Sequence, residues 1–162
     1  MIQGDPVTAV YTIREAVRDD AETLIAFTLQ EAREAEGVEL DAAAVRRGVV
    51  MAFEDPRLAT YWVAETSDAR IAASTSIVTE WSDFRGGQYW FIQSLFVSPE
   101  HRGRGLVGTL LDHLEREAAA AGVLDLRLYA HATNQRALHV YRRCGFTEAP
   151  YVLMSRSVRR RG

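Results

Sequence analysis

Three glycines and two arginines crowd into residues 92–111, IQSLFVSPEHRGRGLVGTLL. An apolar run comes first, then a short basic loop, then a helical pattern of leucines. That order brings the free N–H groups of a first helical turn to Gly103, Gly105 and Gly108, with Arg102 and Arg104 beside them. Main-chain amides, the positive end of a helix dipole and guanidinium groups together suit phosphate. The loop is therefore expected to hold a phosphorylated cofactor.

The loop alone leaves three readings. Its glycines satisfy G-x-G-x-x-G, the spacing of a dinucleotide-binding turn, and Asp125 follows about twenty residues on, where a ribose ligand is expected. Two features oppose a nicotinamide oxidoreductase. Ser98, Pro99, Glu100, His101 and Arg102 separate the strand from the first glycine, and such turns bind phosphate without flanking arginines. The second reading is a solvated connection whose glycines only permit positive φ. The third is a cradle for the diphosphate of coenzyme A.

A resemblance carries the third reading. Arg102, Gly105 and Val107 take the first, fourth and sixth positions of a segment similar to the Q/R-x-x-G-x-G/A signature of the GNAT N-acetyltransferase superfamily. The sixth position departs from the signature, with Val107 in place of Gly or Ala and Gly108 after it. Residues 134–146, NQRALHVYRRCGF, resemble the superfamily's N-x-x-A-x-x-x-Y-x-x-x-G-F element. The opening TIREAVRDDA is similar to its first strand and helix entry. EWSDFR at 80–85, followed by WFIQSLFV, resembles a subgroup labelled histone/polyamine acetyltransferase-like. The likeness covers almost the whole chain.

The resemblance implies an acetyl-CoA-dependent N-acetyltransferase. Leu95, Phe96 and Val97 would offer main-chain groups to the pantetheine arm. The loop Arg102, Gly103, Arg104, Gly105, Leu106, Val107 and Gly108 would hold the diphosphate. Asn134, Ala137 and Arg143 would lie against the cofactor. Tyr141 matches the family tyrosine near the sulfur and is the expected general acid; its other role is an aromatic anchor on an apolar helix face. Transfer also needs a base, because an alkylammonium has no lone pair to attack with. Gln93 on the fourth strand cannot be that base. Tyr129 and His131 share a face of the fifth, and His131 has a suitable titration range. Glu80, Trp81 and Asp83, with Phe84 and Trp90 nearby, are further acceptor-side candidates, and the base stays open among these and water. Cys144 precedes a glycine at a helix end and reads as a small packed residue.

These residues need a scaffold. Residues 10–16 read as a first strand. Asp19 offers an N-cap with Glu22 three residues on, opening a helix through Leu24, Ile25, Phe27 and Leu29 to about residue 34. Asp41 starts a second helix with Val45, Val49 and Ala52 on one face, stopped at Asp55–Pro56. Strands follow at 60–65, 70–78 and 88–97, the last almost continuously apolar. Leu106, Val107, Leu110, Leu111, Leu114 and Ala118 form the stripe of a third helix, and Leu124, Leu126 and Leu128 alternate along a fifth strand. A fourth helix spans 134–143. Phe146 and residues 151–154 are expected to close a final hairpin, and 158–162 to form a frayed tail. The order βααβββαβαββ predicts one α/β (α+β) domain over residues 1–162. With the resemblance, it implies a mixed, mostly antiparallel sheet of about seven strands, flanked by four helices and splayed between strands 4 and 5.

Composition bounds the partners. The 162 residues are 48% hydrophobic and 25% charged, with a formal net charge of −3. That charge argues against nucleic acid as the main partner. No apolar run reaches membrane-spanning length, no secretory pattern opens the chain, and the four histidines have no ligand spacing for a metal. One cysteine permits no internal disulfide, which fits a cytoplasmic setting. The expected partner is a small-molecule amine such as a polyamine or amino acid. Alternatives are a protein lysine or N-terminus as acceptor, or a non-catalytic acyl-CoA-binding sensor. Homodimers are common in proteins of this kind, and no stripe in the sequence compels one.

Overall fold

Val63 and Ala64 are neighbours on one strand, and both are wholly buried. Successive strand side chains point to opposite faces, so this pair requires a covered sheet on both sides. The computed structural model, which describes residues 11–158, has that layering. Its elements are β1 (Tyr11–Glu15), α1 (Ala21–Glu36), α2 (Ala42–Glu54), β2 (Thr60–Thr66), β3 (Ile71–Ser82), β4 (Gly87–Val97), α3 (Leu106–Ala120), β5 (Asp125–Leu128) and α4 (Gln135–Arg143). Val63 packs with Ala21, Leu24, Ile25 and Val49 beneath α1 and α2. Ala64 packs with Ala72, Ala73, Leu106 and Leu110 beneath α3.

The sheet order is β1-β2-β3-β4-β5. Every pairing is antiparallel except β4 with β5. A parallel neighbour requires a crossover, and α3 supplies it. Its stripe of Leu106, Leu110, Leu111, Leu114 and Ala118 is buried, as the spacing predicts.

Among the described residues the mixed sheet and four α-helices stand as expected, but the strand count is five. The closing hairpin is not formed: residues 147–158 carry no helix or strand. Phe146 ends α4 instead of starting a strand. Its N–H donates to the Tyr141 carbonyl at 3.0 Å and its ring lies edge-on to Tyr141. Tyr151, Val152, Leu153 and Met154 are exposed. Strand propensity without a partner to complete the backbone ladder makes no strand. Residue 10 of the first predicted strand and residues 159–162 of the predicted tail lie outside the described residues.

The entry to α1 is shifted by one residue. The helix begins after Asp20, not Asp19. The Asp20 carboxylate accepts from the Val17 N–H at 2.8 Å and from both Arg14 terminal nitrogens at 2.7 and 3.1 Å. Glu22 makes no capping box and pairs with Arg46 of α2 at 2.7 Å.

Candidate functional site

β4 outruns its parallel neighbour. The β4–β5 ladder runs from Tyr89↔Asp125 to Ile92↔Leu128 and stops there, while β4 continues to Val97. A bulge sits at the point of parting. Ser76 faces Ser94 and Ile77 faces Ile92, so Gln93 is an extra residue in β4. The kink is pinned by the Thr75 hydroxyl, donating to the Ser94 carbonyl at 2.8 Å, and by a 2.7 Å bond between the Ser76 and Ser94 hydroxyls. Beyond it the Leu95 N–H meets a side chain instead of a strand. It donates to Glu31 Oε1 of α1 at 3.2 Å.

The glycine loop leaves the end of this strand. The buried His101 accepts or donates at Nδ1 to the Tyr11 hydroxyl, 2.9 Å away, which ties the loop's start to β1. Arg102 is used structurally. Its Nε donates to the Val97 carbonyl at 2.9 Å, its Nη2 to Glu34 Oε2 at 2.5 Å, and its guanidinium lies over the Phe96 ring. Arg104 is exposed. Gly103 and Gly105 have φ of 74° and 73°, in the left-handed region where a side chain is strained, and a Cβ at either would meet open space. The Thr109 N–H donates to the Gly105 carbonyl at 3.1 Å. The amides of Leu106, Val107 and Gly108 precede that bond, at the positive end of α3. The Val107 side chain turns inward against the core, so the departure from Gly or Ala does not obstruct the loop.

α4 completes the fork. Asn134 caps it, its Oδ1 accepting from the Ala137 N–H at 3.1 Å. Ala137 is half-buried and Arg143 exposed. Tyr141 packs with Leu95, Val107 and Cys144 against Ile77, Ile92, Leu111 and Leu114. Burial, then the neighbouring Glu31 charge, then Cys144, push its phenol up to about 12. It therefore keeps its proton throughout the neutral range.

Sequence reasoning missed Glu31. It lines a cavity of about 260 Å³ with Thr28, Glu36, Tyr61, Ser76 and Gln93. Arg14 and Arg46 hold Asp20 and Glu22 below the ordinary carboxylate range, and the Thr66 hydroxyl, then Arg70, do the same for Asp68. Glu31 has no ion-pair partner among the described residues. Burial pushes it up to about 7, with the Leu95 N–H pulling down and Glu36 pushing up. One signal was legible: Glu31 lies seven residues after Leu24 and three after Thr28, a charge on the apolar stripe of α1.

Gln93 is thus brought to the cavity, but other acceptor-side candidates are not. Glu80 faces Tyr89, and Trp81 faces Gln88. Both lie where β5 is still paired or has not begun, about 20 Å along the strand from Leu95. Asp83 is further still, in the exposed turn with Phe84. Tyr129 lies just past β5, its ring stacked on Phe91 at 5.0 Å. His131 is exposed and spent on a turn, with Nδ1 2.8 Å from the Thr133 hydroxyl. Neither of these two lines the cavity. No group of three His, Cys, Asp or Glu residues among those described is arranged to hold a metal.

The model of the Acetyltransferase (GNAT) family matches residues 19–146. The chain is 30% identical over 94 residues to the L-amino acid N-acyltransferase MnaT of Escherichia coli strain K12, covering 58% of this chain and 55% of that protein. It is 34% identical over 140 residues to mycothiol acetyltransferase of Nocardia farcinica, covering 85% and 42%. The chain spans about half the length of these curated relatives. In structure it superposes on a possible acetyltransferase from Clostridium difficile 630 with a TM-score of 0.86 and 31% identity, over 92% of this chain and 98% of that one.

Proposed function

The chain belongs to the GNAT acetyltransferase family, and we propose that it transfers acetyl from acetyl-CoA to the primary amine of a small molecule, by direct attack in a ternary complex. Coenzyme A supplies the activated acetyl group as a thioester. Main-chain amides of Gly103 to Gly108 receive the diphosphate, with Arg104 beside them. The edge of β4 from Leu95 to Val97 receives the arm. Tyr141 gives its proton to the leaving sulfur. The acceptor enters by the cavity beneath Gln93 and Glu31.

The observation that carries this reading is the meeting of Leu95, Val107 and Tyr141 against one core cluster. The strand edge, the loop and the phenol come from three separate stretches of chain, and acetyl transfer needs all three within one thioester's reach. The name of the Escherichia coli relative, an N-acyltransferase of L-amino acids, supports nitrogen as the accepting atom.

The test is thiol release from acetyl-CoA with a panel of alkylamines, diamines, amino acids and a lysine peptide. All 19 basic residues are arginines, so no lysine of the protein itself adds background. Release that depends on a small amine supports the reading. Tight binding of acetyl-CoA without release would make the protein an acyl-CoA-binding module, and release with the peptide alone would make it a protein acetyltransferase.

A further inference from the structure

We infer that Glu31 takes the proton from the acceptor's ammonium group, and that seating the thioester readies it by drawing the Leu95 N–H away to the acyl oxygen. This inference rests on the acetyl-transfer reading above and adds to it the base and the order of events.

Position is the first ground. Glu31 lines the cavity proposed for the acceptor, and its carboxylate reaches the exposed edge of β4 where the arm is proposed to run. Among the described residues it is the one carboxylate joined to both. Charge is the second. The groups that face it are Glu36 on its own helix, Tyr61 of β2, Tyr141 of α4 and the Leu95 N–H of β4. None is a cation, and no arginine lines the cavity. A half-buried carboxylate without a cation is costly to ionise, and an incoming ammonium relieves that cost.

Geometry supplies the order. A single N–H satisfies one strong acceptor at a time, and at 3.2 Å the bond from Leu95 to Glu31 lies at the long end of the normal range. The acyl oxygen of a seated thioester competes for that amide, weakly while it is neutral and strongly once the attack puts charge on it. When it takes the amide, Glu31 loses the contact that favours its ionised form. Its proton affinity rises above an already neutral poise, so the ionised fraction of Glu31 takes the ammonium proton more readily.

The step balances. One ammonium proton passes to a Glu31 carboxylate oxygen. The freed lone pair forms the N–C bond to the acyl carbon, and the C–S bond breaks with its electrons on sulfur. The sulfur takes the Tyr141 proton, and the surplus proton on nitrogen passes to that phenolate. Glu31 then releases its proton to water, one per turnover.

Titration calorimetry at pH 7, in two buffers of different ionisation heat, tests the coupling directly. Acetyl-CoA binding is expected to take up a fraction of a proton, and coenzyme A without the acetyl group less. Glu31→Gln keeps an acceptor for the Leu95 N–H, and should abolish that difference while binding coenzyme A within about threefold, which also shows that the variant is folded. Its kcat should fall about 10²-fold, with loss of the acidic limb of kcat/KM near pH 7. Glu31→Asp should keep the limb at a reduced rate. Equal proton uptake in the unsubstituted protein and Glu31→Gln, or full activity with an unchanged pH profile in Glu31→Gln, would overturn the role of Glu31 and leave acetyl transfer intact. Failure of the unsubstituted protein to bind acetyl-CoA would instead overturn the transferase reading, and this inference with it.

Discussion

The Leu95 amide reaches Glu31 across the mouth of the fork, a 3.2 Å bond between the free stretch of β4 and the middle of α1. The bulge at Gln93 and the early end of β5 leave that N–H without a strand acceptor. The carboxylate satisfies it, yet sits in surroundings that disfavour its charge.

That tension makes Glu31 a liability for stability at high pH. Its proton affinity is raised by burial from the ordinary 4.5 to about 7. The folded chain therefore binds this proton more tightly than the unfolded chain. The resulting stability is complete below about pH 4.5 and is lost as pH rises to about 7. Glu31→Gln should be more stable than the unsubstituted protein at pH 8, by at most about 3 kcal/mol, with the gap closing by pH 4. Urea midpoints at the two pH values measure it, and a gap that does not change with pH would refute the assignment.

Tyr141→Phe removes the phenolic proton and keeps the ring that packs on Phe146 and the cluster around Leu114. Turnover should fall about 10²-fold while acetyl-CoA binds as before. Because the phenol is pushed up to about 12, the unsubstituted enzyme should show no loss of activity from this group between pH 8 and 10. Steady-state rates across that range, with calorimetry for affinity, decide it; unchanged turnover would leave the leaving sulfur without its donor.

What could be read in the sequence was what local pattern determines. The leucine stripe of α3 announced its buried face, the near-continuous apolar run of β4 announced a central strand, and Asn134 stood at the start of α4. Glu31 was hidden because a charge on a helix ordinarily faces solvent, and only its place on the stripe of Leu24 and Thr28 says otherwise. The separation of Glu80 and Trp81 from the fork was hidden for a different reason. Their distance from the fork depends on the hairpin register and on how far β5 runs, and both are tertiary facts. Residues 151–154 have the composition of a strand, but composition does not supply the neighbour that would pair with them.

The two arginines of the loop should separate cleanly. Arg102 braces β4 to α1 through the Val97 carbonyl and Glu34, so Arg102→Ala should lower stability by about 1–2 kcal/mol. Arg104 is exposed, and Arg104→Ala should leave stability unchanged while weakening coenzyme A about tenfold. The salt dependence of binding should also fall in that variant, since one phosphate contact has gone. Thermal melts and calorimetry at two ionic strengths distinguish the pair; equal effects on both readouts would mean that the arginines share one role.

Gly105 and Gly48 offer the last comparison, because both would receive a Cβ in open space. Gly48 lies in the interior of α2, where glycine is the poorer helix former, so Gly48→Ala should stabilise the protein by about 0.5–1 kcal/mol. Gly105 holds a φ of 73° at the entry to α3, and alanine there should cost about 1–2 kcal/mol in backbone strain alone. No protein atom obstructs the new methyl, so the structural penalty should stop at that strain. Any further deficit must come from a ligand meeting the methyl. Gly105→Ala should therefore weaken coenzyme A by more than tenfold at a temperature where the variant is fully folded, whereas Gly48→Ala should bind it normally. Equal affinity in the two variants would show that the diphosphate does not lie against this turn.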